Sequence, residues 1–300
     1  MTSRYTIPQA KAEFDRIMLP YAPQQAAVEA LDEVRLSYLG RRPGAPCGGA
    51  MLIAPIGCGK TCSIENLTAQ IKASGECEAD AHPILHVEIP TEGTVESIPT
   101  AILRALRAPR PDLGRTELRW LKAIDRMKGA QVQLIAFDEF NRANRRETMR
   151  RPIATAIRER IMDAGIAPVA IVGSEEASLV LQSCPELAQR LDDRITMEPL
   201  AWYNEADQPI IVDLLANLDE QLVSRDLVRF SNLADEAVAE QLVEAASGAI
   251  RAIMKIVRIA LGLAMEREAA AIDVIDLEEA VIRFAIGGGF IKRNPFTRQP

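Results

Sequence analysis

Apolar residues recur at three- and four-residue spacing through PQAKAEFDRIM and again through APQQAAVEALDEVRLSYLG, so the chain opens on helices, closed by Gly40 and the loop RRPGAPCGG. A short apolar run at 50–54 then reads as a strand. After a break at 55–59, helical periodicity returns in CSIENLTAQIKAS. The same alternation continues with a strand ILHVEIP at 84–90, a helix SIPTAILRALRA, a basic helix RTELRWLKAIDRMK, and a strand QLIAF that runs into Asp138 and Glu139. A helix at 147–164, a strand at 168–173, a helix at 175–191 and a last strand, ITMEPL at 195–200, complete the pattern. Strands alternating with helices imply a parallel sheet. Everything after Trp202 reads as helix, broken near Ser224, Ser247 and Ala269, and the Gly-, Pro- and Arg-rich tail GGGFIKRNPFTRQP is expected to be mobile.

The composition supports that reading. With 300 residues, 48% hydrophobic and 26% charged, the chain is long and apolar enough to bury a large core. Aromatics are only 4%, which favours a helix-rich α/β protein over an all-β sandwich. The five cysteines form no CxxC pair and there are only two histidines, which argues against a zinc site; the odd cysteine count suits a reducing cytoplasm. No apolar leader opens the chain and no stretch of about 18 uncharged apolar residues occurs, so a soluble, cytoplasmic protein without a membrane partner is expected. The formal charge is −7, yet it is unevenly spread. Eight Lys/Arg stand against three Asp/Glu between Arg104 and Lys128, and seven against two between Arg142 and Arg160, while seven basic residues face sixteen acidic ones from Tyr203 to Ala285.

Two motifs carry chemistry. Ala54 to Thr61, APIGCGKT, fits a Walker A loop with alanine in place of the first glycine, between a strand and a helix. In such a loop the segment Gly57, Cys58, Gly59, Lys60, Thr61 and Cys62 wraps phosphates, Lys60 reaches the β/γ oxygens and Thr61 holds Mg²⁺. Asp138 follows Lys60 by 78 residues at the end of an apolar strand, where it is placed to bind Mg²⁺ through water while Glu139 polarises an attacking water. The plainer alternatives are an incidental turn and a solvated acidic strand end. In ELAQRLDDRI, a helix ending just before the last strand puts Arg190 or Arg194 at a subunit edge, free to reach a neighbour's γ-phosphate or to pair with Asp192, Asp193 or Glu186. Arg251 opens an amphipathic helix and is either a solvated charge or a lid residue facing the nucleotide. The domain reading is a helical segment at 1–44, an α/β nucleotide-binding core at 45–201, an α-helical lid at 202–286 and a flexible basic tail at 287–300.

In this order the motifs resemble the AAA+ ATPases over about positions 45–285. APIGCGKT resembles Walker A, LIAFDEF Walker B, and VAIVGSEEA a sensor-1 strand with Ser174 at its polar position; ELAQR resembles an arginine-finger segment, and SGAIRAIMKIVRIALGLA a sensor-2 helix carrying Arg251. Within that class DEFNR, VGSEEA, the LAQR segment before PLAW and the compact lid look most like the TnsC/TniB transposition regulators, related to the MuB and IstB helper ATPases. The fold implied is an AAA+ P-loop NTPase with a parallel-sheet core and C-terminal helical lid. The resemblance further implies ATP and Mg²⁺ as ligands, slow regulatory ATP hydrolysis, and self-assembly into a helical filament or ring on double-stranded DNA. It also implies delivery or activation of a transposase, with or without a targeting adaptor protein, and disassembly driven by hydrolysis.

DNA contact would fall to Arg104, Arg107, Arg110, Arg115, Arg119 and Lys122 in one basic segment and to Arg142, Arg145, Arg146, Arg150 and Arg151 in another; a basic helix is otherwise just a solvated face. Ser174 departs from the usual Asn or Thr, and Leu191 follows Arg190 where an aromatic is common. Lys292, Arg293 and Arg298 in the tail are read as a partner-docking segment or as a frayed end. Two competing functions are an AAA+ ATPase of secretion-associated or loader type acting on a protein, and a nucleotide-gated scaffold with negligible turnover.

Overall fold

The computed structural model describes residues 5–42, 44–78 and 80–297, and the chain divides into two compact units. One runs from Pro23 to Met197; the other joins residues up to Ala22 with those from Glu198 onward. The expected boundary near 201 therefore moves to 197, and the expected N-terminal segment is split between the units. The outermost residues of that segment and of the tail, 1–4 and 298–300 with Arg298, lie outside the described residues.

The first unit is a five-stranded sheet in the order β2-β3-β4-β1-β5, parallel throughout: β1 (Gly49–Ile53), β2 (Ile84–Glu88), β3 (Leu134–Asp138), β4 (Val169–Gly173) and β5 (Leu191–Thr196). The middle strands β1, β3 and β4 are buried along their whole length, as their unbroken apolar runs dictate for a sheet covered on both faces. The edge strand β5 is different. Its residues, LDDRIT, are mostly exposed, and it begins four residues earlier than the apolar stretch ITMEPL suggests. An edge strand with one solvated side needs no apolar run, so charged side chains hide it from a hydrophobicity pattern. Helices follow the strands: α3 (Lys60–Ser74), α4 (Ser97–Ala105), α5 (Thr116–Gly129), α6 (Glu147–Ile157), α7 (Ala177–Gln182) and α8 (Pro185–Ala188). Pro185 cannot donate an N–H to the preceding turn, so the single helix expected over 175–191 is broken into α7 and α8. The long helix α2 (Ala22–Leu39) is held by Arg35, almost fully buried, which donates to Asp32 at 2.6 Å, Gln133 at 2.8 Å and Glu76 at 3.3 Å.

The second unit is helical: α1 (Ile7–Phe14), α9 (Asp207–Ser224), α10 (Glu236–Ala246), α11 (Ile250–Glu266) and α12 (Val274–Val281). Arg258 of α11 grips Asp15, just past α1, with two hydrogen bonds of 2.6 and 2.7 Å. Asp219, fully buried, accepts the backbone N–H groups of Ser231 and Leu233 at 2.9 and 3.1 Å and so fixes the turn after α9. Part of the expected mobile tail packs here instead. Asn294 donates to the carbonyl of Glu278 at 2.9 Å, its Oδ1 accepts from Phe296 N at 3.1 Å, and Asn294, Pro295 and Phe296 are buried. An apolar ring and a satisfied amide outweigh the disorder that Gly287 to Gly289 alone would suggest. No described helix is long and apolar enough to cross a membrane.

Candidate nucleotide-binding site

The loop joining β1 to α3 wraps back on itself because Gly57 and Gly59 take φ of 88° and 97°, a region closed to most side chains. It leads into the N-terminus of α3, whose first residues are Lys60 and Thr61. The first turn of a helix points its backbone N–H groups outward along the axis, the arrangement that cradles an anion. Lys60 Nζ donates to the carbonyls of Ala54 and Pro55 at 2.6 and 2.9 Å, which keeps the ammonium folded over the loop. Cys58 is buried in the loop and Cys62 is exposed on the first turn of α3.

Although β4 lies between β1 and β3, Asp138 meets the loop: Thr61 Oγ1 donates to Asp138 Oδ2 at 2.9 Å. The same oxygen lies 3.2 Å from His86 Nε2, and Oδ1 accepts from the Glu139 N–H at 2.7 Å. Burial by itself raises the Asp138 pKa, but the hydrogen bonds from His86, Thr61 and the Glu139 backbone outweigh it and hold the carboxyl below its ordinary range. His86 is pushed the other way, above the usual imidazole value, first by its bond to Asp138. Asp138 is thus ionised and aimed at Thr61. These two oxygen donors are the hard ligands that suit Mg²⁺, which needs only one or two protein groups beside substrate phosphates.

Glu139 takes φ 54°, a left-handed conformation uncommon for a non-glycine residue, which turns its side chain away from the strand direction. Its Oε2 is 3.4 Å from Asn141 Nδ2 and 3.8 Å from Arg142 Nε. Arg142 is committed further, to Glu88 at 2.6 Å and the Ile89 carbonyl at 2.9 Å. Ser174, at the tip of β4, is drawn in through its backbone: its N–H donates to Asn141 Oδ1 at 3.4 Å. Lys60, Thr61, Asp138, Glu139 and Ser174 are therefore gathered at the carboxyl ends of β1, β3 and β4, where open α/β sheets bind ligands. Sequence reading missed His86, Asn141 and the structural engagement of Arg142. His86 stands inside a strand pattern, and only the pairing of Glu88 with Asp138 shows that β2 lies alongside the acidic pair.

The remaining candidates scatter. Arg190 lies in the turn before β5 and pairs with Asp163 at 2.9 Å; Arg194 lies within β5, not on a helix, and pairs with Glu175 at 2.9 Å. None of the carboxylates anticipated in ELAQRLDDRI is their partner. Arg251 occupies the first turn of α11 and is exposed. Among the basic residues, Arg119 donates to the hydroxyls of Thr100 and Thr116, Arg150 pairs with Glu147 at 3.5 Å and Arg151 with Glu186 at 3.4 Å. Arg145 donates to the Thr91 carbonyl at 3.4 Å. Arg104, Arg107, Arg110, Arg115, Lys122 and Arg146 are exposed and make no ion pair among the described residues.

A parallel sheet in this strand order, with a phosphate loop after β1 and an Asp–Glu pair closing β3, defines an AAA+ P-loop ATPase fold. Solved structures agree. The Aeropyrum pernix ORC1 protein in complex with DNA is 17% identical, with 91% of this chain and 69% of that one covered at a TM-score of 0.63. The Aeropyrum pernix ORC2 protein in its ADP form is 14% identical over 91% of this chain and 72% of that one, TM-score 0.65. Cdc6p from Pyrobaculum aerophilum is 17% identical over 90% and 70%, TM-score 0.62. At such identities the likeness is one of fold. No curated protein matches the chain. Residues 17–199 match the family described as bacterial TniB protein, and the chain belongs to that family.

Proposed function

We propose that this chain is an ATP-dependent, sequence-tolerant DNA-binding regulator of transposition, which assembles as a filament or ring on target duplex, recruits or activates a transposase, and comes apart on ATP hydrolysis. The observation that carries the enzymatic part is the Thr61–Asp138 contact of 2.9 Å, which joins the phosphate loop to the acidic strand end beside Glu139. The TniB family membership and the exposed Arg104, Arg107, Arg110, Arg115 and Arg146, which make no ion pair among the described residues, support the DNA part, as does an ORC1 neighbour whose structure contains DNA.

In this reading Lys60 leaves the Ala54 and Pro55 carbonyls for the β- and γ-phosphate oxygens, and the α3 N-terminus receives the phosphates. Thr61 and Asp138 would hold Mg²⁺, which neutralises charge on the phosphates when bound. Glu139 accepts a proton from the attacking water, and Ser174 borders the γ-phosphate. Arg190 or Arg194 acts on a neighbouring protomer's nucleotide. Each is tied to one carboxylate with a half-exposed side chain, an ion pair worth at most about 1 kcal/mol and readily exchanged for a triphosphate. Arg251 is assigned to nucleotide sensing, the role that its place in SGAIRAIMKIVRIALGLA implies.

Fluorescence anisotropy of a random-sequence duplex, with ATP, a non-hydrolysable analogue, ADP or no nucleotide, tests the reading. Binding that needs ATP or the analogue and weakens with salt supports it. Binding in no state removes DNA from the account, and ATP turnover unaltered by Glu139→Gln removes the assigned base.

A further inference from the structure

Among the described residues, Asn141 is a side chain that touches both the Glu139 carboxylate and the tip of β4. Its Oδ1 faces the Ser174 N–H at 3.4 Å, and a backbone N–H can only donate, so the amide oxygen must be on that side. The Nδ2 group is thereby turned to Glu139 Oε2, also at 3.4 Å, where a carboxylate can only accept. The two contacts fix the amide's orientation without ambiguity. Gly173 leaves room for it: a Cβ there would stand 3.1 Å from Asn141 Oδ1, 3.3 Å from Asn141 N and 3.0 Å from Ala177 Cβ. The end of β4 is shaped to admit this amide.

Ser174, by contrast, enters the network through its main chain, and its short side chain carries no amide to offer. We propose that Asn141 is a positioning residue that orients the Glu139 carboxylate and couples it to the β4 tip, taking over with its amide a task that the sequence pattern assigns to Ser174. The inference rests on the hydrolytic reading above. In that reaction a water oxygen bonds to the γ-phosphorus, the bond from that phosphorus to the β–γ bridging oxygen breaks with ADP leaving, and the water proton passes to Glu139. Both contacts of Asn141 are long in the structure, as catalytic hydrogen bonds often are before substrate binds. A shift of β4 on contact with the γ-phosphate would then reach Glu139 through one rigid amide.

The test uses the full chain with Asn141→Asp, Asn141→Ala, and each combined with Glu139→Gln. Asn141→Asp keeps shape while replacing the donor to Glu139 by a like charge, so it separates orientation from packing if Asn141→Ala fails to fold. Steady-state turnover, KM for ATP, affinity for a fluorescent non-hydrolysable ATP analogue and Tm are measured together. The expected result is a kcat lowered about 10- to 100-fold by Asn141→Asp, with KM and analogue affinity changed by less than about twofold. In the Glu139→Gln background the same substitution is expected to have no further effect on residual turnover, because the carboxylate it orients is gone. An unchanged kcat, a loss that appears in KM alone, or an equal fold-loss with and without Glu139 would overturn the inference. A wild-type chain without ATP turnover overturns the hydrolytic reading and this inference with it, whereas turnover indifferent to Asn141 overturns this inference alone.

Discussion

At the scale of single residues, the site is organised around one buried carboxylate. Asp138 receives three donors, each hydrogen bond to an ion contributing about 1.5–3 kcal/mol, and this fixes it against Thr61 before any ligand arrives. Glu139, next in sequence, is half exposed and has a left-handed backbone, and the proposed reaction assigns it the attacking water. The division of labour predicts distinct mutants. Glu139→Gln should retain ATP affinity and slow turnover by about 10²- to 10⁴-fold. It should also leave a long-lived, ATP-loaded assembly on DNA, visible as slow release from labelled duplex after dilution. Rapid release would show that hydrolysis does not time disassembly. Thr61→Ala should leave the fold intact and weaken Mg²⁺-dependent ATP binding, measured by calorimetry with and without the metal; identical affinities in the two chains would remove Thr61 from the metal site.

At the scale of elements, the turn between α10 and α11 packs closely against the backbone at Leu200. Gly248 has φ 74°, and a Cβ there would lie 2.1 Å from the Leu200 carbonyl oxygen. Gly248→Ala should therefore destabilise the unit by about 2 kcal/mol or more, read from the denaturant midpoint. The packed tail makes a second prediction. Asn294→Ala removes the bond to the Glu278 carbonyl and should cost about 1–3 kcal/mol by leaving buried backbone groups unpaired. Truncation at 293 would thus report on folding as well as on partner docking. These elements also show what the sequence displayed. The strands β1, β3 and β4 were legible because each is a short run of Ala, Ile, Leu, Val or Phe buried on both faces, and the phosphate loop because glycines must stand where the chain reverses. Strand β5 and the docked Asn294 were not, since an edge strand tolerates LDDR and a single buried amide leaves no periodic mark. Of the site, the motif residues were readable, but His86 and Asn141 became visible only once β2 and β4 were placed beside β3.

On the scale of the whole molecule, charge separates what composition averages. A net −7 conceals two basic segments in the sheet-bearing unit and an acidic helical unit. Within the basic segments the structure sorts the candidates: Arg119, Arg142 and Arg150 have partners inside the fold, while Arg104, Arg107 and Arg110 stand exposed around the end of α4. Replacing those three by Glu should weaken duplex binding uniformly across sequences, and each lost phosphate contact should lower the slope of log affinity against log salt by about 0.9. An unaltered slope would move the DNA surface elsewhere. The central claim, that ATP held at Lys60, Thr61 and Asp138 governs binding to duplex DNA, is tested most directly by anisotropy of a labelled random-sequence duplex across nucleotide states at two salt concentrations. The account predicts tight, salt-sensitive binding with ATP or its non-hydrolysable analogue and weak binding with ADP or none; equal binding in every nucleotide state would contradict it.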